Sequence, residues 1–283
     1  MSNFSEQLIP ITTDDNAVAS LHKLTSDNSV DKNIFLTHGT YSDRRSLMGI
    51  AQYLAKEGYT CWLLEWREHG TSPATNTIYN YEWIALYELK AVFEYLFEVE
   101  KITHLDTVQH SAGGLLQTMF LVKNPQYIDK IGRSVFFGSQ SFGAGYNAWR
   151  KSILLLFKGF TKLSGGSHAT RTGKAHDESY HLMKQWFDWN IHVHFKGMDG
   201  KDYRDEMPKI TIPTLFVTAV GDTFVAPIQG CRAFADAFQN SDNQLIRVGK
   251  EFGYAEDYNH SRMILSRNAE REIYPNVLKW LNS

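Results

Sequence analysis

Two kinds of apolar pattern alternate along this chain. One is the short continuous run rich in β-branched and aromatic residues, which reads as a buried strand. The other is the longer stretch with apolar residues at every third or fourth position, which reads as a helix packed on one side. Runs of the first kind predict strands at Ile34–Thr37, Thr60–Trp66, Leu105–Val108, Arg133–Phe137, Thr214–Val220 and Gln244–Val248. Stretches of the second kind predict helices at Arg45–Lys56, Tyr81–Phe97, Gly114–Lys123, Pro227–Phe238 and Ala269–Leu281. Leu8–Thr13 and Ala17–Leu24 flank the turn-forming Asp14-Asp15-Asn16 and read as an N-terminal hairpin. Strand–helix alternation of this kind predicts an α/β protein with a mostly parallel central sheet and helices on both faces.

The alternation breaks between Phe142 and Pro208. This stretch holds Trp149, the apolar run Ile153-Leu154-Leu155-Leu156-Phe157, a polar loop from Ser164 to Asp177, and Trp186-Phe187-Asp188-Trp189. It reads as a helical cap inserted at 143–207 into one domain spanning 1–283. Its aromatic and leucine side chains are expected to line a pocket or to pack the cap onto the core.

Gln109-His110-Ser111-Ala112-Gly113-Gly114 sits where a strand gives way to a helix. A serine on such a turn presents its hydroxyl outward at a helix N-terminus, where developing negative charge is favoured. The stretch matches G-x-S-x-G except for Gln109. A side chain at that crowded position needs a gap or a hydrogen-bond partner, because a buried amide without one costs a few kcal/mol. A nucleophilic serine also needs a base and a carboxylate to orient that base. Asp222 follows the strand Thr214–Val220, at the sheet edge where open α/β sheets bind ligands. His260 lies in the loop Tyr258-Asn259-His260-Ser261 before the last helix. Ser111, Asp222 and His260 therefore run in the order serine, acid, histidine, which belongs to the α/β-hydrolase arrangement.

With these motifs in place, the chain resembles an α/β-hydrolase of the monoacylglycerol lipase, lysophospholipase and serine aminopeptidase branch over nearly its whole length. Asn33-Ile34-Phe35-Leu36-Thr37-His38-Gly39-Thr40 resembles the family's strand ending in His-Gly. Glu65-Trp66-Arg67-Glu68-His69-Gly70-Thr71-Ser72 resembles D-x-R-G-H-G-x-S, with Glu65 for the Asp and Glu68 for the first Gly. The resemblance implies an ester hydrolase working through an acyl-enzyme. Ser111 would be the nucleophile, His260 the base and Asp222 its orienting acid, with the backbone N–H groups of Thr40 and Ala112 as the oxyanion hole. No cofactor is required by that chemistry. An acyltransferase with the same triad and a non-catalytic binder on the same fold are the alternatives.

Composition narrows the picture further. A net charge of −2 gives no electrostatic case for nucleic acid. Cys61 and Cys231, the two cysteines, are expected to be buried thiols rather than a disulfide or zinc site. The first residues lack the basic and apolar regions of a signal peptide, and no run reaches the roughly 20 apolar residues of a spanning helix, so a soluble cytoplasmic protein is expected, its substrate a small-molecule ester of a medium- or long-chain acyl group.

Other candidates fall away on their chemistry. Gly173-Lys174 lacks the hydroxyl residue of a P-loop, since Ala175 follows, and His168 stands in place of its first glycine. His192 and His194 alternate as strand-borne ligands do, but no third ligand stands at a metal-binding spacing, so a surface or cap-packing role is expected. Asp257 is the rival acid for His260; the turn Gly138-Ser139-Gln140-Ser141, another acid position in such folds, carries none.

Overall fold

In the computed structural model, which describes residues 3–75, 77–164, 166–171 and 174–283, the predicted α/β class is present. Strands β1 (Phe4–Thr12), β2 (Val18–Ser26), β3 (Lys32–Thr37), β4 (Tyr59–Glu65), β5 (Leu105–His110) and β6 (Ile131–Phe137) belong to one sheet. A second pair, β7 (Gly166–Arg171) and β8 (Lys174–Ser179), stands apart; β9 (Thr214–Ala219) and β10 (Gln244–Val248) complete the main sheet. Its order is β1-β2-β4-β3-β5-β6-β9-β10. The β1–β2 hairpin pairs Thr12 with Val18, and β2 is antiparallel to β4. From β4 to β10 every neighbouring pair is parallel.

Apolar side chains on the two faces of the sheet form two cores. One face is covered by a helical run over 81–99 and by α4 (Ala112–Lys123) and α7 (Ile228–Asp236). The run over 81–99 joins α2 (Tyr81–Trp83) and α3 (Lys90–Glu94) through π-helical turns Ile84–Leu89 and Tyr95–Val99. The other face is covered by α1 (Met48–Lys56) and the C-terminal helices. At the C-terminus the single predicted helix Ala269–Leu281 is instead α9 (Arg267–Glu272) and α10 (Tyr274–Leu281), preceded by the short α8 (Arg262–Leu265). Pro275 causes the break: it has no N–H to continue the ladder and sits instead in the first turn of α10.

The chain leaves the sheet after β6 and returns at β9. In between lie α5 (Ala148–Leu163), the β7–β8 pair and α6 (Tyr180–His192). The polar stretch from Ser164 to Asp177, read as a loop, is largely the antiparallel β7–β8 pair, with Gly166 opposite Ser179. Polar sequence without an apolar alternation gives no strand signal, yet the backbone hydrogen bonds of a two-stranded ribbon form without one. Among the described residues no helix is long and apolar enough to cross a membrane.

A buried ion cluster ties the hairpin turn to the first core. The Arg67 guanidinium donates to both carboxylate oxygens of Glu88 (2.5 and 3.1 Å) and to both of Asp15 (2.7 and 3.1 Å). Arg67 and Glu88 are fully buried, so each leaves water only because the other compensates it.

Candidate active site

Ser111 stands between the end of β5 and the start of α4 with φ 55° and ψ −117°, the strained turn expected of an exposed nucleophile. Packing enforces the turn. Ser111 N–H donates to Phe137 O at 2.7 Å, and Ser139 Oγ donates to Ser111 O at 2.8 Å. Small residues are required around it. A Cβ on Gly39 would lie 2.6 Å from Ser111 Cβ, and one on Gly113 would lie 2.8 Å from Thr37 O. These glycines let the β3 end and the helix start close on the serine.

Tertiary folding brings the other two predicted residues to this point. His260 Nε2 lies 2.8 Å from Ser111 Oγ, and His260 Nδ1 lies 2.5 Å from Asp222 Oδ2. Asp222 Oδ1 accepts the N–H groups of Val225 (3.2 Å) and Ala226 (3.1 Å). Burial pushes the Asp222 carboxyl up, but its electrostatic interaction and hydrogen bond with His260, helped by those two N–H groups, hold it below the usual carboxylate range. The rival Asp257 is turned elsewhere and accepts Lys250 N–H at 2.9 Å. In the acid-free turn after β6, Gln140 donates to Val225 O at 2.7 Å and so steadies the loop that carries Asp222.

Beside Ser111, the turn His38-Gly39-Thr40-Tyr41 carries one of the two predicted oxyanion donors. Ala112 opens α4, so its N–H has no acceptor within the helix. Thr40 Oγ1 is 2.6 Å from the Tyr81 hydroxyl. Tyr41 adopts φ 57°, and its N–H donates to Glu178 Oε1 at 2.6 Å. That oxygen also lies 3.1 Å from His69 Nε2, while His69 Nδ1 lies 2.8 Å from Arg67 O. Both ring nitrogens of His69 face acceptors, which only an imidazolium satisfies. Burial opposes that charge, but Glu178 outweighs it and raises the His69 pKa. Its neighbour His38 goes the other way: burial, reinforced by the charge of His69, lowers its pKa to about 3. The neutral His38 ring stacks on Trp66 at 4.2 Å and holds Gly39 O at 2.8 Å.

Glu178 and Tyr81 were not singled out from the sequence. Glu178 sits in a polar stretch with no periodicity, and its partners lie 109 and 137 residues away, so no local signal marks it. Glu68, at a usual glycine position, does adopt the backbone that glycine favours, φ 65°. Its carboxylate accepts Thr75 N–H at 3.2 Å and the Tyr79 hydroxyl at 3.1 Å, which offsets part of that strain.

Gln109 finds a partner for its amide nitrogen, while its buried Oε1 has no hydrogen-bond partner among the described residues. Its Nε2 donates to Gln117 Oε1 at 2.7 Å, and Gln117 Nε2 donates to Ser134 Oγ at 2.9 Å. The amide thus bridges β5, α4 and β6 behind the elbow without reaching Ser111. Gln109→Gly is expected to keep ester turnover within a few fold while lowering the melting temperature, because it strands the buried Gln117 oxygen at a cost of about 1–3 kcal/mol. Thermal denaturation and steady-state kinetics of the variant check this; a hundredfold loss of rate at an unchanged melting temperature would contradict it.

The remaining candidates are quickly placed. Cys61 and Cys231 are free and buried, and burial pushes both thiols up, away from reactivity. His192 closes α6 at the surface, where its exposed ring stacks on His194 at 5.8 Å. Gly173, and the side chains of His168, Lys174 and Ala175, lie outside the described residues. A cleft of about 950 Å³ opens beside α6, lined by Trp83, His181, Lys184, Trp189 and His192. None of Ser111, Asp222 and His260 is in its wall.

The family model described as serine aminopeptidase, S33, matches residues 28–250. No curated protein matches the sequence. Among solved structures, an esterase from Exiguobacterium antarcticum superposes with a TM-score of 0.70 at 16% identity, covering 98% of this chain and 100% of that one. An esterase from Pyrococcus furiosus gives a TM-score of 0.66 at 18% identity, over 99% of this chain and 91% of that one. A bromoperoxidase from Bacillus anthracis gives 0.65 at 16% identity, over 98% and 100%. At such identities the likeness is one of fold, and function has to be argued from the site.

Proposed function

This chain belongs to the serine aminopeptidase, S33, family of α/β-hydrolases, and on that premise we propose that it cleaves carboxylic esters of medium- or long-chain acyl groups through an acyl-enzyme. The observation that carries this reading is the hydrogen-bonded line from Ser111 Oγ through His260 to Asp222, with Ser111 on a strained elbow. Ser111 Oγ attacks the ester carbonyl while His260 Nε2 takes its proton. The N–H groups of Thr40 and Ala112 hold the oxyanion, each worth on the order of 10²–10³ in rate. His260 then gives the proton to the leaving alcohol. Water, deprotonated by the same imidazole, attacks the acyl-enzyme and releases the acid, restoring the serine.

The segment 143–207 is proposed as the cap over this site. Two contacts support that role: the Arg150 guanidinium of α5 donates to Thr223 O, next to Asp222, and Glu178 of β8 reaches the oxyanion turn at Tyr41. Through Glu178 the cap helps to set the backbone next to Thr40, so substrate capture and oxyanion stabilisation share one brace.

A graded series of p-nitrophenyl esters from acetate to palmitate tests the substrate class. The expected result is a kcat/KM that rises from acetate toward the longer chains, no cleavage of amino-acyl p-nitroanilides, and free acid as the product when a short alcohol is added. Cleavage of anilides but not esters would overturn the ester reading, and an alkyl ester as main product would make the protein an acyltransferase.

A further inference from the structure

We infer that His110, the residue immediately before Ser111, is a positioning residue that holds the main chain of His260 and so fixes the base against the nucleophile. The inference rests on reading Ser111, His260 and Asp222 as a working triad. His110 closes β5, pairs with Phe137 in the last rung of the β5–β6 ladder and is buried. Its Nε2 lies 3.0 Å from His260 O. A carbonyl oxygen only accepts, so this nitrogen carries the hydrogen. The hydrogen bond of a buried imidazole is here spent on the backbone of the residue that takes the serine proton.

What the bond does follows from where its two ends sit. His260 lies on a loop, the more mobile kind of segment, whereas β5 runs between β3 and β6 inside the sheet. The loop is tied down at two points in quick succession. Gly221 N–H donates to Tyr258 O at 2.8 Å, and two residues later His110 Nε2 donates to His260 O. The first tie sets the approach of the loop; the second acts on the catalytic residue itself. Gly138 limits the imidazole from another side. It adopts φ 59°, and a Cβ there would lie 3.1 Å from His260 Nδ1.

His110 and Ser111 are neighbours in the chain, so one strand end carries both the nucleophile and the tether of its base. The Ser111 Oγ to His260 Nε2 distance of 2.8 Å and the His260 Nδ1 to Asp222 Oδ2 distance of 2.5 Å are thereby referred to the rigid sheet. A misplacement of about 1 Å in such a constellation costs on the order of 10² in rate. His110 is not a second base, since the nitrogen that faces Ser111 Oγ belongs to His260. The His110 ring lies beside the His260 ring, with centroids 5.1 Å apart and planes tilted by 39°.

His110→Phe and His110→Gln test the inference. Phenylalanine keeps a planar ring in the same space but has no donor, whereas the glutamine amide reaches about as far and has one. His110→Phe is expected to lower kcat by about 10- to 100-fold with KM changed by less than about threefold, and His110→Gln to recover most of that loss. Proton NMR adds a readout that packing alone does not move. The low-field resonance of the hydrogen between His260 Nδ1 and Asp222 should broaden or vanish in His110→Phe and return in His110→Gln. In the parent protein, ¹⁵N shifts should show the His110 Nε2 protonated, a measurement that needs no variant to fold. Parent kinetics and resonance in His110→Phe, equal losses in both variants, or a His110 Nε2 without its hydrogen would each overturn the inference. Fluorophosphonate labelling of the parent protein tests the triad reading separately, and the NMR measurements need no turnover, so failure of that reading is told apart from failure of this one.

Discussion

Ser111→Ala is expected to abolish ester turnover and fluorophosphonate labelling while leaving the thermal transition of the protein unchanged. The hydroxyl oxygen is the atom that His260 Nε2 faces at 2.8 Å, so removing it removes the nucleophile outright. Loss of a nucleophilic serine from such a triad costs on the order of 10⁶ in rate. The fold has little reason to respond. Ser111 is anchored through its backbone, by the N–H to Phe137 O and by its carbonyl to Ser139 Oγ and Gly114 N–H. At φ 55° alanine is strained about as much as serine, so the elbow keeps its geometry. Circular dichroism and p-nitrophenyl ester kinetics on the same sample check both halves. A well-folded Ser111→Ala protein with the parent rate would remove Ser111 from the mechanism.

Asp222→Asn is expected to lower kcat by roughly 10⁴ with little change in KM, by selecting the wrong histidine tautomer. The local hydrogen bonds make this specific. Oδ1 of Asp222 accepts two backbone N–H groups, from Val225 and Ala226, and only the carbonyl oxygen of an asparagine satisfies them. The asparagine NH₂ is then turned toward His260 Nδ1, where Asp222 Oδ2 stands at 2.5 Å. Nδ1 becomes the acceptor, the proton moves to Nε2, and the imidazole can no longer take a proton from Ser111. Asp257→Asn serves as the control and is expected to be nearly silent, because Asp257 caps Lys250 N–H rather than His260. Steady-state kinetics of the two variants decide the matter: if Asp257→Asn is the more damaging, the acid has been placed wrongly.

Much of this site was legible in the linear chain, for reasons that can be stated residue by residue. A nucleophile elbow is a local structure, so Ser111 announces itself by the strand before it, the small residues after it and the helix that follows. Asp222 and His260 stand at a strand end and in a loop ahead of the C-terminal helices, positions that the alternation of elements makes readable. The contacts that brace them were not legible. Glu178 holds Tyr41 N–H across 137 residues of sequence, and Gln109 depends on Gln117 and Ser134 across three elements. Nothing in the chain near either residue encodes such a partner.

The apolar stripe of α5 draws the line most clearly. Once the segment is a helix, 3.6 residues per turn places Trp149, Leu156, Phe160 and Leu163 together on one face. On sequence alone the aromatic and leucine side chains of the whole cap stretch were expected to line a pocket or to pack the cap onto the core; the structure turns this face of α5 largely to solvent. Likewise the sequence determined an α/β chain with a parallel sheet and the order of three chemically apt residues, because strand runs, helical spacing and turn residues are local properties. Tertiary structure alone decided which side of α5 is covered and that a polar stretch pairs as β7 and β8. Those outcomes depend on hydrogen bonds and contacts between residues far apart in the chain, and local pattern carries no information about which distant surface will be there.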